Sequence, residues 1–203
     1  MPYARPIVTL DIDGVLANTG YVPKGSQSTW TTYANAKPFP LAYELLHWFQ
    51  QNLFEVWFLS ARSFPGAQAL TESWVHQHFG NLNSWYHKKV LTELHDESVP
   101  KYAIANELGS KLHVDDDWRV CLETEVRKLN VPDLYSAAWH VDKLRPFTGT
   151  FLLLDNWKDK TKIPDIAYDL VDDSKLWLVP DLQEAIELIQ TLTPKLLGKS
   201  SRK

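Results

Sequence analysis

Residues 7–17 read Ile7-Val8-Thr9-Leu10-Asp11-Ile12-Asp13-Gly14-Val15-Leu16-Ala17. The short apolar, β-branched run that opens after Pro6 predicts a buried strand over residues 6–11. It ends in two carboxylates two residues apart, and a glycine follows that permits a tight turn. Nothing beside Asp11 and Asp13 in sequence neutralises them. They are either a solvated strand end or half of a site completed by the rest of the fold.

Outward from this strand, the polar, turn-rich residues 17–38 predict a long loop or small insertion rather than a core element. "PLAYELLHWFQQN" opens at a proline and repeats apolar residues at helical spacing. "FEVWFLS" (54–60) predicts a second strand, and "PGAQALTESWVHQHFG" a second helix closing near Gly80. Residues 84–91 suggest a short strand, and "VPKYAIANELG" a helix from near Pro100 to Gly109. "KLHVDDD" predicts a strand ending in three acids, "WRVCLETEVRKLN" a helix and "LYSAAWHV" a strand. A last strand, "LWLVP", and helix, "DLQEAIELIQTL", follow, with Asp181 as N-cap. Strand and helix thus alternate from residue 6 to about residue 140, broken by 17–38, with 143–173 as a second candidate break. This pattern predicts an α/β, Rossmann-like, mostly parallel sheet flanked by helices, with a small or absent cap. Residues 1–193 are expected to form a single domain, with 143–193 completing the fold and 194–203 a flexible basic tail.

The chain has 203 residues, 44% of them apolar and 23% charged, which suffices for a core. A net charge of −4 argues against a large nucleic-acid footprint but leaves room for a local basic groove around one phosphate. The single Cys, Cys121, excludes an internal disulfide and reads as a small buried apolar residue. No signal-peptide core and no membrane-length apolar run is visible, so a cytoplasmic protein with no membrane partner is expected.

Parallel strands present their carboxyl ends together, and ligands bind there. One strand ends at Asp11 and Asp13, another at Ser60 and Arg62, a third at Asp115, Asp116 and Asp117. Carboxylates so crowded repel unless a cation sits among them, and clustered oxygens suit a hard ion such as Mg2+. Such an ion screens a phosphoryl group. A carboxylate then attacks phosphorus, and a second carboxyl protonates the leaving oxygen and activates water. Gly14 lets the turn place both groups on one phosphate, with Lys101 as balancing cation and Ser60 as hydrogen-bond donor.

These residues resemble the haloacid dehalogenase-like phosphohydrolases. "DIDGVLA" looks like their first motif, Asp-x-Asp-Gly-(Val/Thr)-Leu; Ser60 matches the second, Lys101 the third, and Asp115 with Asp116 the fourth. The resemblance covers about residues 6–142 and implies that Asp11 is the nucleophile and Asp13 the general acid/base. It also implies Mg2+ held by Asp11, the backbone carbonyl of Asp13, and Asp115 or Asp116. Members with haloacid activity lack the second Asp, so Asp13 points to phosphoryl transfer. Only 49 positions separate Asp11 from Ser60, too few for a large cap there. "LSAR", "WVHQHFG", Lys101 and "HVDDDWRVCLETEV" further resemble the phosphatase domain of phage-type polynucleotide kinase-phosphatases, with Ala61 in place of the glycine of their "SGR". No P-loop is present in this sequence.

The implied activity is a Mg2+-dependent phosphomonoesterase acting through an aspartyl-phosphate, on a nucleotide or a nucleic-acid terminal (3′) phosphate. The alternatives are a small-metabolite phosphatase of the same fold and a non-catalytic metal- or partner-binding module. Arg62 either contacts substrate phosphate or pairs with a surface acid. Lys111, Lys88 and Lys89 are rivals of Lys101. Asp117 reads as a solvated acid or helix N-cap rather than a ligand. Ser60 alternatively caps a strand end. His76, His78 and His87 read as ordinary histidines, since positions i and i+2 do not share a helix face. Trp30 and Tyr33 either stack on a nucleobase or pin the insertion to the domain, the second being preferred. "KLRP" (143–146) and the tail lysines read as a solvated face.

Overall fold

Strand β1 (Ile7–Leu10) sends Val8 and Leu10 to one side of a sheet and Thr9 to the other, the period-two alternation of an extended chain. The computed structural model describes residues 5–20, 30–60, 62, 64–80, 90–91, 101–117, 147–154 and 176–198. After β1 the chain forms β2 (Ala17–Asn18), α1 (Trp30–Ala34), β3 (Lys37–Pro38), α2 (Ala42–Gln51) and β4 (Glu55–Leu59). Then come α3 (Ala67–Phe79), β5 (Val90–Leu91), α4 (Lys101–Glu107), β6 (Leu112–Asp115), β7 (Thr150–Leu154), β8 (Leu176–Val179) and α5 (Leu182–Leu196).

Six strands make one sheet in the order β5-β4-β1-β6-β7-β8, and each neighbouring pair is parallel. This is an α/β fold with a parallel sheet flanked by helices. Counting the sheet strands along the chain, the order is 3-2-1-4-5-6, the doubly wound arrangement. Its switch point lies between β1 and β6, where Val8, Thr9 and Leu10 pair with Leu112, His113 and Val114. The acids that end these two strands therefore emerge side by side.

The main core covers one face. Val8, Leu10, Val56, Phe58, Leu112, Val114, Leu152 and Leu154 meet Leu45, Leu46 and Phe49 of α2, Trp74 and Phe79 of α3, and Ala185 and Ile189 of α5. A smaller cluster gathers Leu59, Ile104, Ala105, Phe147 and Phe151, which brings α4 to the other face. Burying one such aliphatic or aromatic side chain contributes about 1.5–3 kcal/mol, so the larger cluster dominates the sheet's stability.

Three expectations change. The 143–173 stretch contains β7, a fully buried strand between β6 and β8. Its continuous apolar run, Thr150–Leu154, suits a strand covered on both faces and gives no alternation to read. The 17–38 insertion does enter the core: Ala17 and Ala36 are buried, β2 pairs antiparallel with β3, and Trp74 Nε1 donates to the Ala36 carbonyl at 2.7 Å. The last helix passes residue 194, where the tail was expected to begin, and reaches the buried Leu196. Pro194 removes one amide donor there, while Leu197 N still donates to Thr193 O at 2.9 Å and Thr193 Oγ1 to Ile189 O at 2.7 Å.

Asp181 caps α5 as expected, accepting from Glu184 N at 3.0 Å. Of the strand expected over 84–91, Val90–Leu91 is described. The helix and strand expected over 118–141, with Cys121, Lys88, Lys89, His87, "KLRP" and the tail lysines, lie outside the described residues. Among the described residues, no helix is long and apolar enough to cross a membrane.

Leu152 is fully buried in β7, so Leu152→Ala is expected to cost about 2–5 kcal/mol of unfolding free energy by removing side-chain contacts and leaving a cavity. Urea denaturation followed by circular dichroism measures it. A cost below about 0.5 kcal/mol, the range of exposed substitutions, would contradict this position for β7.

Candidate functional site

The turn after β1 is set by backbone bonds. Leu16 N and Ala17 N both donate to the Ile12 carbonyl, at 2.9 and 2.7 Å, and Gly14 N donates to Ala17 O at 3.0 Å. Gly14 has φ of +79°, a left-handed conformation that side chains with a Cβ resist. The space beside it is filled by the Asp116 carboxylate, which a Cβ at position 14 would overlap. The glycine therefore serves two needs: it closes the turn, and it lets the β6 end approach the β1 end.

Asp11 is buried at the mouth of β1. Its Oδ1 accepts from Ile12 N at 2.7 Å, and its Oδ2 lies 2.7 Å from Lys101 Nζ. Lys101, the first residue of α4, also donates to Asp115 Oδ2 at 3.0 Å. Asp115 is fully buried and has no unoccupied oxygen: Oδ2 accepts from Lys101 and from His113 Nε2 at 3.2 Å, and Oδ1 from Asp117 N at 2.9 Å.

Asp13 stands apart from this group. Arg62 grips it with both nitrogens of its fork, Nη2 to Oδ1 at 2.7 Å and Nε to Oδ2 at 2.9 Å. Ser60 Oγ reaches Asp13 Oδ2 at 3.5 Å, the long limit of a hydrogen bond. Arg62 is itself fixed by donating Nη1 to Thr71 Oγ1 at 2.8 Å and by lying 4.5 Å over the Tyr33 ring. Tyr33 stacks on Phe64 at 5.3 Å, so the insertion is pinned beside the β4 end, as preferred for it. Trp30, 57% exposed, joins no described ring stack. Arg62 thus pairs with a partly exposed acid, Asp13, at the site.

Electrostatics divides the acids. Burial, with Asp115, Asp13 and Asp116 nearby, pushes the Asp11 carboxyl well above the usual range, and Lys101 offsets only part of this. Burial would raise Asp115 too, but Lys101, the His113 ring and the Asp117 amide outweigh it and hold Asp115 well below the usual range. Burial disfavours the Lys101 charge, yet Asp11 and Asp115 outweigh it and keep the ammonium charged.

Oxygens of Asp11, Asp115 and Asp116 lie within 4.8 Å of one another, an all-oxygen donor set able to hold a metal ion. The Asp13 carboxylate, for which the resemblance implies no metal contact, lies against Arg62 and outside this group. All eight sequence-predicted site residues (Asp11, Asp13, Gly14, Ser60, Arg62, Lys101, Asp115, Asp116) are brought to one edge of the sheet. Lys111, a rival of Lys101, begins the opposite end of β6, where its amide donates to Ile7 O. Asp117 contributes an amide to Asp115. His76 and His78 lie in the last turn of α3. His113, with Thr9 behind it, was missed; the available signal was a polar residue in the middle of each of two central strands.

No known family model matches the chain, and no curated protein matches it.

Two measurements check this geometry. Millimolar Mg2+ or Mn2+ is expected to raise the melting temperature, by the linkage of binding to folding, and Asp116→Asn or Gly14→Ala to reduce the rise. An unchanged melting temperature in the wild type would contradict a cation site. With chelator present, the raised Asp11 makes its contribution greatest below the unfolded carboxylate value of about 4, and that contribution fades as pH rises through the folded value. Asp11→Asn removes this loss, so its stability relative to wild type is expected to improve steadily from pH 4 upward in denaturant titrations. A constant difference across pH would refute the raised carboxyl.

Proposed function

We propose that this chain is a Mg2+-dependent phosphomonoesterase of the haloacid dehalogenase-like kind, working through an aspartyl-phosphate. The observation that carries the reading is the pairing of Asp11 with Lys101 beside Asp115 and Asp116 across the β1/β6 switch point, with Asp13 two residues on and held by Arg62. A solvated strand end has no use for such an arrangement. A nucleophilic carboxylate next to an acid/base, a fixed cation and an oxygen donor set is what phosphoryl transfer requires.

In this reading Asp11 attacks phosphorus through a carboxylate oxygen, and the bond from phosphorus to the ester oxygen breaks. Asp13 gives its proton to the departing alcohol. Water then attacks the aspartyl-phosphate, Asp13 takes the proton, and inorganic phosphate leaves with Asp11 restored. Asp11, Asp115 and Asp116, with the Asp13 carbonyl that the resemblance implies, would hold Mg2+, which would supply charge neutralisation at a phosphoryl group. Lys101 balances the Asp11 and Asp115 charges, and Ser60 supplies a hydroxyl near Asp13. Arg62 fixes the plane of the Asp13 carboxylate, and so the directions of its remaining lone pairs.

The substrate in this reading is a nucleotide or a nucleic-acid 3′-phosphate. The small span between β1 and β4 supports it: the elements described there are β2, α1, β3 and the core helix α2, and these described residues build no large cap.

Phosphate release from a 3′-phosphorylated oligonucleotide, nucleoside monophosphates and sugar phosphates, each with Mg2+, tests the proposal. Asp11→Asn is expected to abolish turnover, and Asp13→Asn to lower kcat by about 10²–10⁴-fold, the usual worth of a positioned acid/base. Release from the oligonucleotide supports an end-processing phosphatase. Release from sugar phosphates alone would overturn the substrate class but keep the chemistry. Turnover that survives Asp11→Asn would overturn the mechanism.

A further inference from the structure

Behind the acids, on the face of the sheet away from the main core, a second polar system is fully buried. Thr9, in the middle of β1, and His113, in the middle of β6, are adjacent by sheet register and both have no exposed surface. Thr9 Oγ1 lies 2.9 Å from His113 Nδ1 and 3.1 Å from Ser110 Oγ. Ser110 Oγ donates to the Leu112 carbonyl at 2.7 Å. The other ring nitrogen, His113 Nε2, meets Asp115 Oδ2 at 3.2 Å. Both edges of the imidazole are therefore used, and Phe147 and Phe151 contact its faces edge-on at 6.5 and 5.9 Å.

Nothing in the hydrophobic packing of β1 or β6 asks for these groups. Val or Leu at positions 9 and 113 would extend the small apolar cluster of Leu59, Ile104, Phe147 and Phe151 and spare the cost of burying polar atoms. What the polar chain does provide is a fixed direction for one carboxylate. Asp115 is an acceptor only, so Nε2 carries the hydrogen, and the ring can turn neither way without breaking its bond to Thr9 or to Asp115. Ligands of metal ions are oriented in the same manner by outer hydrogen-bond partners.

We infer that His113, braced by Thr9 and Ser110, is a positioning residue that sets the Asp115 carboxylate for the cation site and for Lys101. This inference rests on the cation-binding part of the proposed function. His113 touches neither substrate nor reacting atoms; it acts through Asp115. Without it the Asp115 carboxylate keeps Lys101 on Oδ2 and the Asp117 amide on Oδ1 but loses the buried donor that fixes Oδ2 from behind, so the three-acid donor set is held less firmly in register.

The test reads cation binding directly, without turnover. Mn2+ binding to the purified protein is followed by electron paramagnetic resonance of the free ion, for wild type, Thr9→Val, His113→Gln, His113→Leu and Asp116→Asn. Stability is measured in parallel by chelator-treated urea titration. His113→Leu is expected to weaken Mn2+ binding by about 10–100-fold, the usual effect of removing an outer partner of a metal ligand. Thr9→Val, a near-isosteric change, is expected to weaken it less but measurably. His113→Gln, whose amide can still donate to Asp115, is expected to recover part of the His113→Leu loss. A purely structural role predicts the opposite split, with stability falling in all three and Mn2+ affinity unchanged in the folded protein; that result overturns the inference. If wild type itself binds no Mn2+, the cation site fails and the inference with it. If wild type binds and Asp116→Asn does not, yet Thr9→Val and His113→Leu bind like wild type, the inference alone fails.

Discussion

Asp11, Asp13, Asp115 and Asp116 lie at the ends of two adjacent parallel strands, and their mutual repulsion has to be answered locally because Asp11 and Asp115 are buried from water. The answer is a division into two groups. Lys101 takes Asp11 and Asp115, and Arg62 takes Asp13, so neither of these two cations serves all four. Asp116 is accommodated by the missing Cβ of Gly14. The remaining imbalance falls on Asp11, whose carboxyl is pushed up despite its lysine. The placement of α4, the left-handed turn at position 14 and the packing of Tyr33 under Arg62 all follow from this one electrostatic requirement.

Lys101 shows how far local preference yields to it. A cation in the first turn of a helix opposes the helix dipole, and the first turn of α4 carries no acid. A helix of seven residues gains little by itself to offset this. Its stability comes from Ile104 and Ala105 packing against the sheet and from the two acids that Lys101 meets. A local conflict of this kind marks a position chosen for what it touches rather than for the helix it begins.

The sheet and the site were unequally legible. The strand ends were visible because an apolar run that stops at a carboxylate can be read without knowing the fold, as at Leu10–Asp11 and Val114–Asp115. Parallel topology then predicts that those ends converge, and they do. Lys101 was legible from its place at a helix start. The grip of Arg62 on Asp13 was not, because it depends on side-chain reach and on Tyr33 and Thr71, which hold the guanidinium from other elements. Strand β7 was hidden because a strand buried on both faces lacks alternation. Thr9 and His113 were hidden for a related reason: in a four-residue strand one polar side chain reads as the solvent face, whereas here that face lies under α4 and Phe151.

The site is assembled from parts far apart along the chain: Asp11 and Asp13 near one end, Arg62 about fifty positions on, Lys101 at the start of α4, and Asp115 at the end of β6. β1 acquires its neighbours β4 and β6 only through non-local pairing, a topology that folds slowly. The repulsion between the two acid pairs therefore arises only with the pairing of β1 and β6, and the contact of Lys101 with both Asp11 and Asp115 needs the same pairing. A cation held between those strand ends would favour the pairing, because it would bind the paired strands and not the separate ones. Holding a cation and pairing the two central strands would thus be one event, the ion joining parts of the chain that lie far apart in sequence.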